Sequence, residues 1–493
     1  MKTFTQPMQG LKEFEDLEAA LPKLSGVIQI SGCIDAAKPH MMYSIGNGSG
    51  NRIIVTFQEQ KAKELAEEYR FFDPNVAYYP AKDILFYQSD IRGNVLTAER
   101  INALKMMAEK RSCTIVTTFD GLMNPMPSPD QFISAVRKVA VGDVIDLEQF
   151  TRHLAELGYE KNYQVQTSGE FSVRGGIIDI FPLTEELPVR IELWDTEVDS
   201  IRTFDLESQR SIEQLNEIDI YPATEIVLTK KQAKEGVERI RSEAKSFAEK
   251  LRSQQNTEEA YRITGIVKEL TEGIEEGWKQ TGLDAWISYF NKETVSFLDY
   301  FDPEQSMIFL DEPLRLKEQG EAVELEFRES MEHRLEKGYL LPGQTGLLYP
   351  VREILAKAQR KDTVYLTGLE QKLPGMTTEA RFSFDVRNMN SYQNSFEMLI
   401  KDLTGWKKER YRVILLSGSR TRASRLAEDL REYDLSAFCT DDESREVQPG
   451  EILVTFGNLH RGFAYPQIKF AVITEGDMFG KEKKKRKRKK TSY

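Results

Sequence analysis

Hydrophobic and polar residues alternate with a period of two over residues 189–194 of this 493-residue chain. Such alternation predicts a β-strand with one buried face and one open face. The buried face would carry Val189, Ile191 and Leu193, and the open face Arg190, Glu192 and Trp194. The run at 170–174 alternates in the same way and puts Arg174 on the open face, before a bulge or tight turn at Gly175-Gly176. An outward Trp beside Arg is typical of an interface anchor. The alternation alone is equally compatible with a solvated sheet face that carries one stray aromatic.

The rest of the chain shows two further α/β patterns. Short apolar runs alternate with helical periods over the first 140 or so residues, which predicts an open parallel sheet. Residues 146–222 predict one helix and then the strands described above, an α+β insert. Residues 412–473 predict a second, smaller α/β unit. Between them, apolar residues spaced by three and four from Val237 to Leu251 predict a long helix whose stripe packs against a neighbouring domain.

Composition places the chain among soluble globular proteins and argues against several sites. No apolar run approaches the 18 or so residues of a membrane helix, and the N-terminus opens no hydrophobic signal region. The three cysteines and four histidines are scattered, which fits a reducing cytoplasm and predicts no disulfide framework, zinc site or cofactor.

Charge is unevenly distributed along the chain. Residues 481–490 hold nine basic residues and one acidic residue, so the remainder is more acidic than the net charge of −12 indicates. An acidic body disfavours broad phosphate-backbone binding and favours a protein partner. The basic tail is most simply a solvated linker, with nucleic-acid contact as the alternative.

A phosphate-binding loop is partly preserved after the first buried strand. Gly32 and Lys38 fall in register with the pattern G-x-x-x-x-G-K-[S/T], but Ala37 replaces the second glycine and Pro39 the hydroxyl residue. A Cβ at position 37 restricts the backbone that must wrap the phosphates, and proline removes both an N–H and the magnesium ligand. We therefore expect a degenerate nucleotide loop.

A second nucleotide-site motif occurs in residues 307–312, an apolar strand that ends in Asp311-Glu312 as in a Walker B motif. With no hydroxyl residue to complete a metal site, we expect these two carboxylates to cap a helix or make ion pairs. Gly46–Gly50 is glycine-rich but precedes a strand, so we interpret it as a flexible turn. Together the motifs predict a nucleotide-binding fold without ATPase activity or catalytic residues.

The order of residues in the insert, beyond their alternation, resembles that of a known family. Residues 169–182 read G-E-F-S-V-R-G-G-I-I-D-I-F-P, and residues 190–205 read R-I-E-L-W-D-T-E-V-D-S-I-R-T-F-D. These runs resemble the domain shared by the excision-repair protein UvrB and the transcription-repair coupling factor Mfd. In both families that domain is the docking surface for UvrA, so the resemblance implies UvrA as the partner.

Other segments resemble the coupling factor more than UvrB. UvrB keeps an intact phosphate loop and a long aromatic hairpin in its first domain, and residues 76–97 leave no room for that hairpin. The wording Y-Y-P-A-K-D-I-L at 78–85, E-R-I-N-A-L at 99–104 and the run 462–480 are similar to the N-terminal part of Mfd. The resemblance covers nearly all of this chain but only about two-fifths of a full coupling factor, so we expect an N-terminal fragment.

The resemblance implies an α/β fold: a degenerate P-loop, RecA/UvrB-like parallel-sheet domain split by an α+β UvrA-docking insert, then a small α/β domain. The split domain would occupy residues 1–145 and 226–380, and the insert 146–225. The small family-specific domain would occupy 381–480, and a basic linker 481–493.

The resemblance also assigns roles to individual residues. It carries UvrA docking over to Arg174, Arg190 and Trp194, with tryptophan where several relatives have phenylalanine. We expect the arginines to pair with UvrA carboxylates around a buried aromatic anchor, so replacing both should abolish binding without unfolding.

In the full-length family, ATP-driven translocation on double-stranded DNA displaces stalled RNA polymerase and UvrA is then recruited to begin nucleotide excision repair. The resemblance implies that the polymerase and DNA contacts would belong to domains absent from this chain. A C-terminal domain of the whole protein would mask the docking face. The main alternative is a UvrB-type ATP-dependent enzyme that binds damaged DNA, and a second is a nucleic-acid-binding protein that acts through the basic tail.

Overall fold

The computed structural model describes residues 1–83, 91–110, 112–277 and 282–480, with residues 91–94 described by their backbone alone. Two parts of the sequence predictions therefore lie outside the described residues. One is the basic tail at 481–493, and the other is residues 84–90, within the segment 76–97 that we expected to be too short for a hairpin. The chain divides into two compact units. One unit contains residues 1–76, 306–314 and 359 onwards, and the other contains residues 77–305 and 315–358.

The first unit is built on a parallel sheet. Its strands other than the edge strand Ala380–Ser383 are almost entirely buried, as expected when helices cover both faces of a parallel sheet. In spatial order, the five strands within the unit are Ala380–Ser383, Ile28–Ser31, Thr363–Thr367, Ser306–Asp311 and Asn51–Thr56. Helices Lys38–Ser44 and Glu59–Arg70 follow the strands at 28–31 and 51–56. The glycine-rich segment, predicted to be a flexible turn, overlaps the short 3-10 helix Ile45–Gly48 and has positive φ at Gly46, Gly48 and Gly50.

A second sheet in the first unit forms the small α/β domain. Its strands, in spatial order, are Arg387–Asn388, Phe463–Tyr465, Phe470–Ile473, Arg412–Ser417, Ile452–Phe456 and Ala437–Cys439. The last four are parallel, and the first two are antiparallel to their neighbours. Helices Phe396–Lys408 and Arg420–Arg431 contribute Leu399, Leu403 and Leu426 to a separate hydrophobic core.

The second unit contains the insert, whose main sheet we call the insert sheet. Its six strands, in spatial order, are Ser211–Leu215, Glu197–Phe204, Val189–Trp194, Ile177–Ile180, Glu170–Arg174 and Glu160–Lys161. Helix Leu147–Glu156 is capped by Asp146, which accepts a hydrogen bond from the Gln149 amide. This helix buries Phe150 and Leu154 in the core of the insert.

The insert core begins before the predicted boundary at residue 146. Strand Arg137–Ala140 pairs antiparallel with Glu217–Ile220, and both contribute to the insert core through Val139 and Ile220. The sequence analysis assigned residues 137–145 to the preceding domain because the helix at 147 was the first clear element of the insert.

The helical part of the second unit contains the long helix predicted from the apolar stripe. Helix Lys230–Ser253 begins at a capping box of Thr229 and Gln232 and is followed by helix Thr257–Glu275. Its stripe packs mainly against that second helix and against Trp286 and Phe290, so the expected packing against a neighbouring domain was wrong. A short turn joins the two helices into a helical hairpin, and the apolar stripe forms the contact between them.

The remaining elements complete both units. Their α-helices are Lys2–Thr5, Lys12–Ala20, Ile91–Glu109, Pro129–Ser134, Ile287–Phe290, Pro313–Glu336, Val351–Ala358 and Glu475–Phe479, and their strands are the neighbouring Val76–Tyr79 and Thr114–Thr118. None of the helices in the described ranges is long and apolar enough to cross a membrane. The predicted fold class is confirmed: a parallel-sheet α/β domain, an α+β insert and a small α/β domain are all present.

Candidate functional site

The outer face of the insert sheet carries its side chains in three rows. Residues that pair across neighbouring strands point to the same face, so the strand registers define each row. The first row is Ser172, Asp179, Arg190 and Arg202; the second is Arg174, Ile177, Glu192 and Ser200; the third is Trp194, Glu197 and Val144. The inner face carries Phe171, Ile178, Val189 and Ile191, which are all buried in the insert core. The predicted alternation is therefore present in the structure.

Two of the predicted docking residues converge on one buried carboxylate. Arg190 donates from Nε to Asp179 Oδ1 at 2.7 Å and from Nη2 to Asp179 Oδ2 at 2.9 Å. Arg174 donates from Nη2 to Asp179 Oδ2 at 3.1 Å. Asp179 is 2% exposed. A buried carboxylate needs such partners, so the two arginines stabilise the sheet before any ligand binds.

The two arginines differ in how much of each remains available. Arg190 also donates to Gln209 Oε1 at 2.9 Å and lies over the Phe204 ring at 4.3 Å, and its side chain is 12% exposed. Its hydrogen bonds to Asp179 raise the pKa of its guanidinium. The Arg174 side chain is 42% exposed. Arg174 can therefore reach a second carboxylate, whereas Arg190 is held within the sheet.

Trp194 is the third predicted docking residue and is open to solvent. It is 79% exposed at the end of strand Val189–Trp194, where Asp195 turns the chain with a φ of +56°. Its neighbours on the inner face, Leu193 and Val198, pack into the insert core. The strand thus fixes the position of Trp194 while its ring remains uncovered.

The partly preserved phosphate loop lies in the first unit and has a different environment. Gly32 follows strand Ile28–Ser31 with a φ of +80°, and a Cβ at this position would lie 1.9 Å from the carbonyl oxygen of Phe384. The amides of Ala37 and Lys38 bond to the carbonyls of Ile34 and Asp35 within the loop. Gly32 therefore permits close packing of two backbone segments, and the loop amides are used locally.

Lys38 forms the centre of an ion cluster that we call the Lys38 cluster: Asp35, Lys38, Lys61, Asp311 and Glu312. Lys38 Nζ lies 2.6 Å from Asp311 Oδ1, 2.7 Å from Asp35 Oδ1 and 3.3 Å from Glu312 Oε1. Lys61 Nζ lies 3.2 Å from Asp311 Oδ2, and Thr56 donates to that oxygen at 2.9 Å. An ammonium has three donors, so the three carboxylates occupy all those of Lys38.

Charge in the Lys38 cluster disfavours a polyphosphate. Three carboxylates and two ammonium groups leave one net negative charge at the end of the strand. Burial alone would lower the pKa of Lys38, but Asp311 and Asp35 reverse this and raise it, so the ammonium stays charged. Burial also raises the pKa of the neighbouring Cys33 thiol to about 12. In the part of the chain that the structure describes, no group of His, Cys, Asp and Glu side chains has the arrangement of a metal site.

Comparison with known proteins shows what this chain resembles. Residues 138–226 match the model of the UvrB interaction domain. The transcription-repair-coupling factor of Bacillus subtilis (strain 168) is 29% identical over 485 residues, which are 97% of this chain and 41% of the relative. This chain resembles the transcription-repair coupling factors.

Other relatives agree with this resemblance. The transcription-repair-coupling factor of Staphylococcus aureus (strain bovine RF122 / ET3-1) is 27% identical over 499 residues, covering 99% of this chain and 41% of the relative. That of Staphylococcus epidermidis is 29% identical over 427 residues, covering 85% and 35%. The chain therefore spans about two-fifths of the length of these coupling factors.

Sequence reasoning missed several residues that organise these sites. Asp179 lies on the outer face because the hairpin register pairs it with Ser172, and the alternation within one strand does not give that register. Gln209, Thr56 and Lys61 are distant in sequence from the residues that they contact, and no local pattern marks them.

Proposed function

We propose that the outer face of the insert sheet docks UvrA and that this chain is a non-catalytic recruitment module. The observation that carries the proposal is the 79% exposed Trp194, held at the end of strand Val189–Trp194 on the same outer face as the Arg174–Asp179–Arg190 network. A large exposed aromatic with a charged neighbour on a well-packed sheet has the features of an interface hot spot. The match of residues 138–226 to the UvrB interaction domain supports this assignment.

Each residue on this face would have a distinct task in docking. Trp194 would insert into an apolar pocket of UvrA, because its ring is uncovered and its backbone is fixed by the sheet. Arg174 would pair with a UvrA carboxylate, because only its Nη2 is engaged by Asp179. Arg190 would act indirectly, by holding Asp179 and thereby the direction of Arg174.

We also propose that the chain does not hydrolyse ATP. A phosphate loop needs free backbone amides, a lysine directed at the phosphates and a hydroxyl for magnesium. Here the Ala37 and Lys38 amides bond within the loop, Lys38 bonds to three carboxylates, and Pro39 has neither N–H nor hydroxyl. These features support a nucleotide-binding fold that has taken on a structural role.

The name of the relatives gives the cellular setting of the proposal. We propose that the chain brings UvrA to sites of stalled RNA polymerase in transcription-coupled nucleotide excision repair. Contacts with the polymerase and with double-stranded DNA, and ATP-driven translocation, would belong to the three-fifths of the coupling factors that this chain does not span.

Calorimetric titration of the 493-residue chain with purified UvrA, with ATP turnover by the chain alone measured in parallel, tests both parts. We expect saturable binding without ATP turnover. Absence of binding would contradict the docking assignment. ATP turnover by the chain would contradict the assignment of a degenerate loop and favour the UvrB-type enzyme.

A further inference from the structure

The third row of the insert sheet contains a second uncovered apolar residue, Val144. Val144 forms an isolated antiparallel bridge with Glu197, which in turn pairs with Trp194 across the hairpin. Val144 is 75% exposed, whereas the adjacent Ile145 is buried in the insert core. The register therefore places Val144, Glu197 and Trp194 side by side on the outer face.

The segment that carries Val144 is fixed to the sheet by its backbone. The Gly142 amide donates to the Val198 carbonyl at 2.8 Å, and the Ile145 amide donates to the Thr196 carbonyl at 2.7 Å. The Val198 amide donates back to the Asp143 carbonyl at 2.8 Å. These bonds and the buried Ile145 hold Val144 in place without covering its side chain. An apolar side chain held in this way contributes to binding with little loss of conformational entropy.

Glu197 separates the two apolar residues and is open for pairing. It is exposed, and within the described ranges of the chain its carboxylate makes no ion pair or side-chain hydrogen bond. The nearest acid of the second row, Glu192, is already paired with Arg202 and accepts from Ser200. The third row thus has an uncompensated negative charge between two apolar contacts.

We infer that Val144, Glu197 and Trp194 form one continuous contact strip for UvrA, an inference that rests on the proposed docking function. Neighbouring strands lie about 4.8 Å apart, so the two apolar side chains are about 10 Å apart with Glu197 between them. The complementary surface has two apolar pockets at that spacing and a lysine or arginine between them. Val144 extends the apolar contact of Trp194, and Glu197 selects a partner with a cation at that position.

Substitutions in the strip, measured by calorimetric titration with purified UvrA, test this inference. Val144→Ser should weaken binding about fivefold, because it removes apolar contact area without disturbing the core. Glu197→Lys should weaken binding about tenfold or more, because it opposes like charges. Glu197→Gln should have a smaller effect and should flatten the dependence of affinity on ionic strength.

Two matched controls distinguish the loss of a contact with UvrA from the general effect of removing an exposed apolar side chain or of reversing a charge. Ile133→Ser removes an exposed aliphatic side chain outside the insert, and Glu207→Lys makes the same charge change in the turn that follows strand Glu197–Phe204. Both should bind UvrA like the unaltered chain. Thermal unfolding of all five variants reports whether the fold is retained.

The outcomes distinguish this inference from the function on which it rests. Weakening by Val144→Ser and Glu197→Lys, with both controls unchanged, supports the strip. Unaltered affinity in both strip variants, while the unaltered chain binds UvrA, overturns the strip and leaves the docking function intact. No binding by the unaltered chain overturns both.

Discussion

The Lys38 cluster and the outer face of the insert sheet are built from similar groups, and we propose different roles for them. Each contains a basic side chain bonded to a buried carboxylate, Lys38 to Asp311 and Arg190 to Asp179. In the Lys38 cluster the ammonium groups and the carboxylates form ion pairs with one another. On the insert sheet the network leaves Arg174 partly available, and Trp194 on the same face is uncovered.

From this difference we infer that a motif in register is not sufficient for a binding site. Lys38 has the sequence position of a phosphate-binding lysine, yet its side chain is 2% exposed and its donors are taken by carboxylates. Trp194 belongs to no general motif, yet it is 79% exposed at the end of a strand. A structural cluster differs from an interaction surface in which groups remain unpaired or uncovered after folding. The identity of the residues matters less.

The largest expected effect concerns the stability of the first unit. Lys38→Ala leaves Asp311 and Glu312 without their main cation, and breaking a buried ion pair costs about 3–5 kcal/mol. We expect a matching loss in the free energy of unfolding measured with denaturant, and no change in the affinity for UvrA of the protein that remains folded. Lys63→Ala, which removes a surface lysine paired with Glu59, is the control and should cost about 0.5 kcal/mol or less. Equal stability of the two variants would contradict a structural role for Lys38.

The next effect concerns binding. Trp194→Ala should weaken UvrA binding by about 2 kcal/mol or more, which is roughly 30-fold or more in Kd, because it removes the proposed anchor. The free energy of unfolding should stay unchanged, since the ring is uncovered. Tyr261→Ala removes an equally exposed aromatic from helix Thr257–Glu275 and should bind normally. Weakening by both variants would point to a general effect and against the anchor.

Substitution of each arginine of the insert should affect stability and UvrA binding to different degrees. Arg190→Ala removes the main partner of the buried Asp179 and should lower the free energy of unfolding by roughly 2 kcal/mol. Arg174→Ala should cost less stability but weaken UvrA binding by about 1 kcal/mol, through the loss of an interface charge pair.

This expectation revises the one drawn from sequence, in which both arginines could be replaced without affecting the fold. Denaturant unfolding and calorimetric titration of each single variant decide the point. An Arg190→Ala variant with unaltered stability and weakened binding would restore the view that both arginines contact UvrA directly.

The sequence predicted the faces of the insert sheet well because a period of two fixes them locally. It placed Val189 and Ile191 inward and Trp194 outward, and the structure agrees. It did not predict that Arg190 folds onto Asp179, because that depends on the register between strands 177–180 and 189–194. The partners of Lys38 were equally inaccessible, since strand order brings together residues 38, 61 and 311. The alternation within one strand can be predicted from the sequence, whereas contacts between residues of different elements depend on the topology of the fold.

The smallest expected effect is a pH dependence in the Lys38 cluster. Burial opposes ionisation of Asp35, but Lys38 and Lys61 outweigh it and hold the pKa of the carboxyl below its usual value of 3.8. Because the folded-state pKa is the lower one, Asp35 stabilises the fold above pH 3.8 and loses this effect as the pH falls through the folded-state value. Asp35→Asn should therefore reduce stability at pH 7 by about 1 kcal/mol or less, and the difference should vanish towards low pH. A difference that persists in acid would contradict the ion pairing.

Amide hydrogen exchange of the 493-residue chain, with and without purified UvrA, tests the central claim most directly because it reads both regions in one experiment. The account predicts slower exchange in the turn at 194–197 and in residues 141–145 when UvrA is bound, and unchanged exchange in the loop at 32–38. Slower exchange at 32–38 with none in the insert would contradict it.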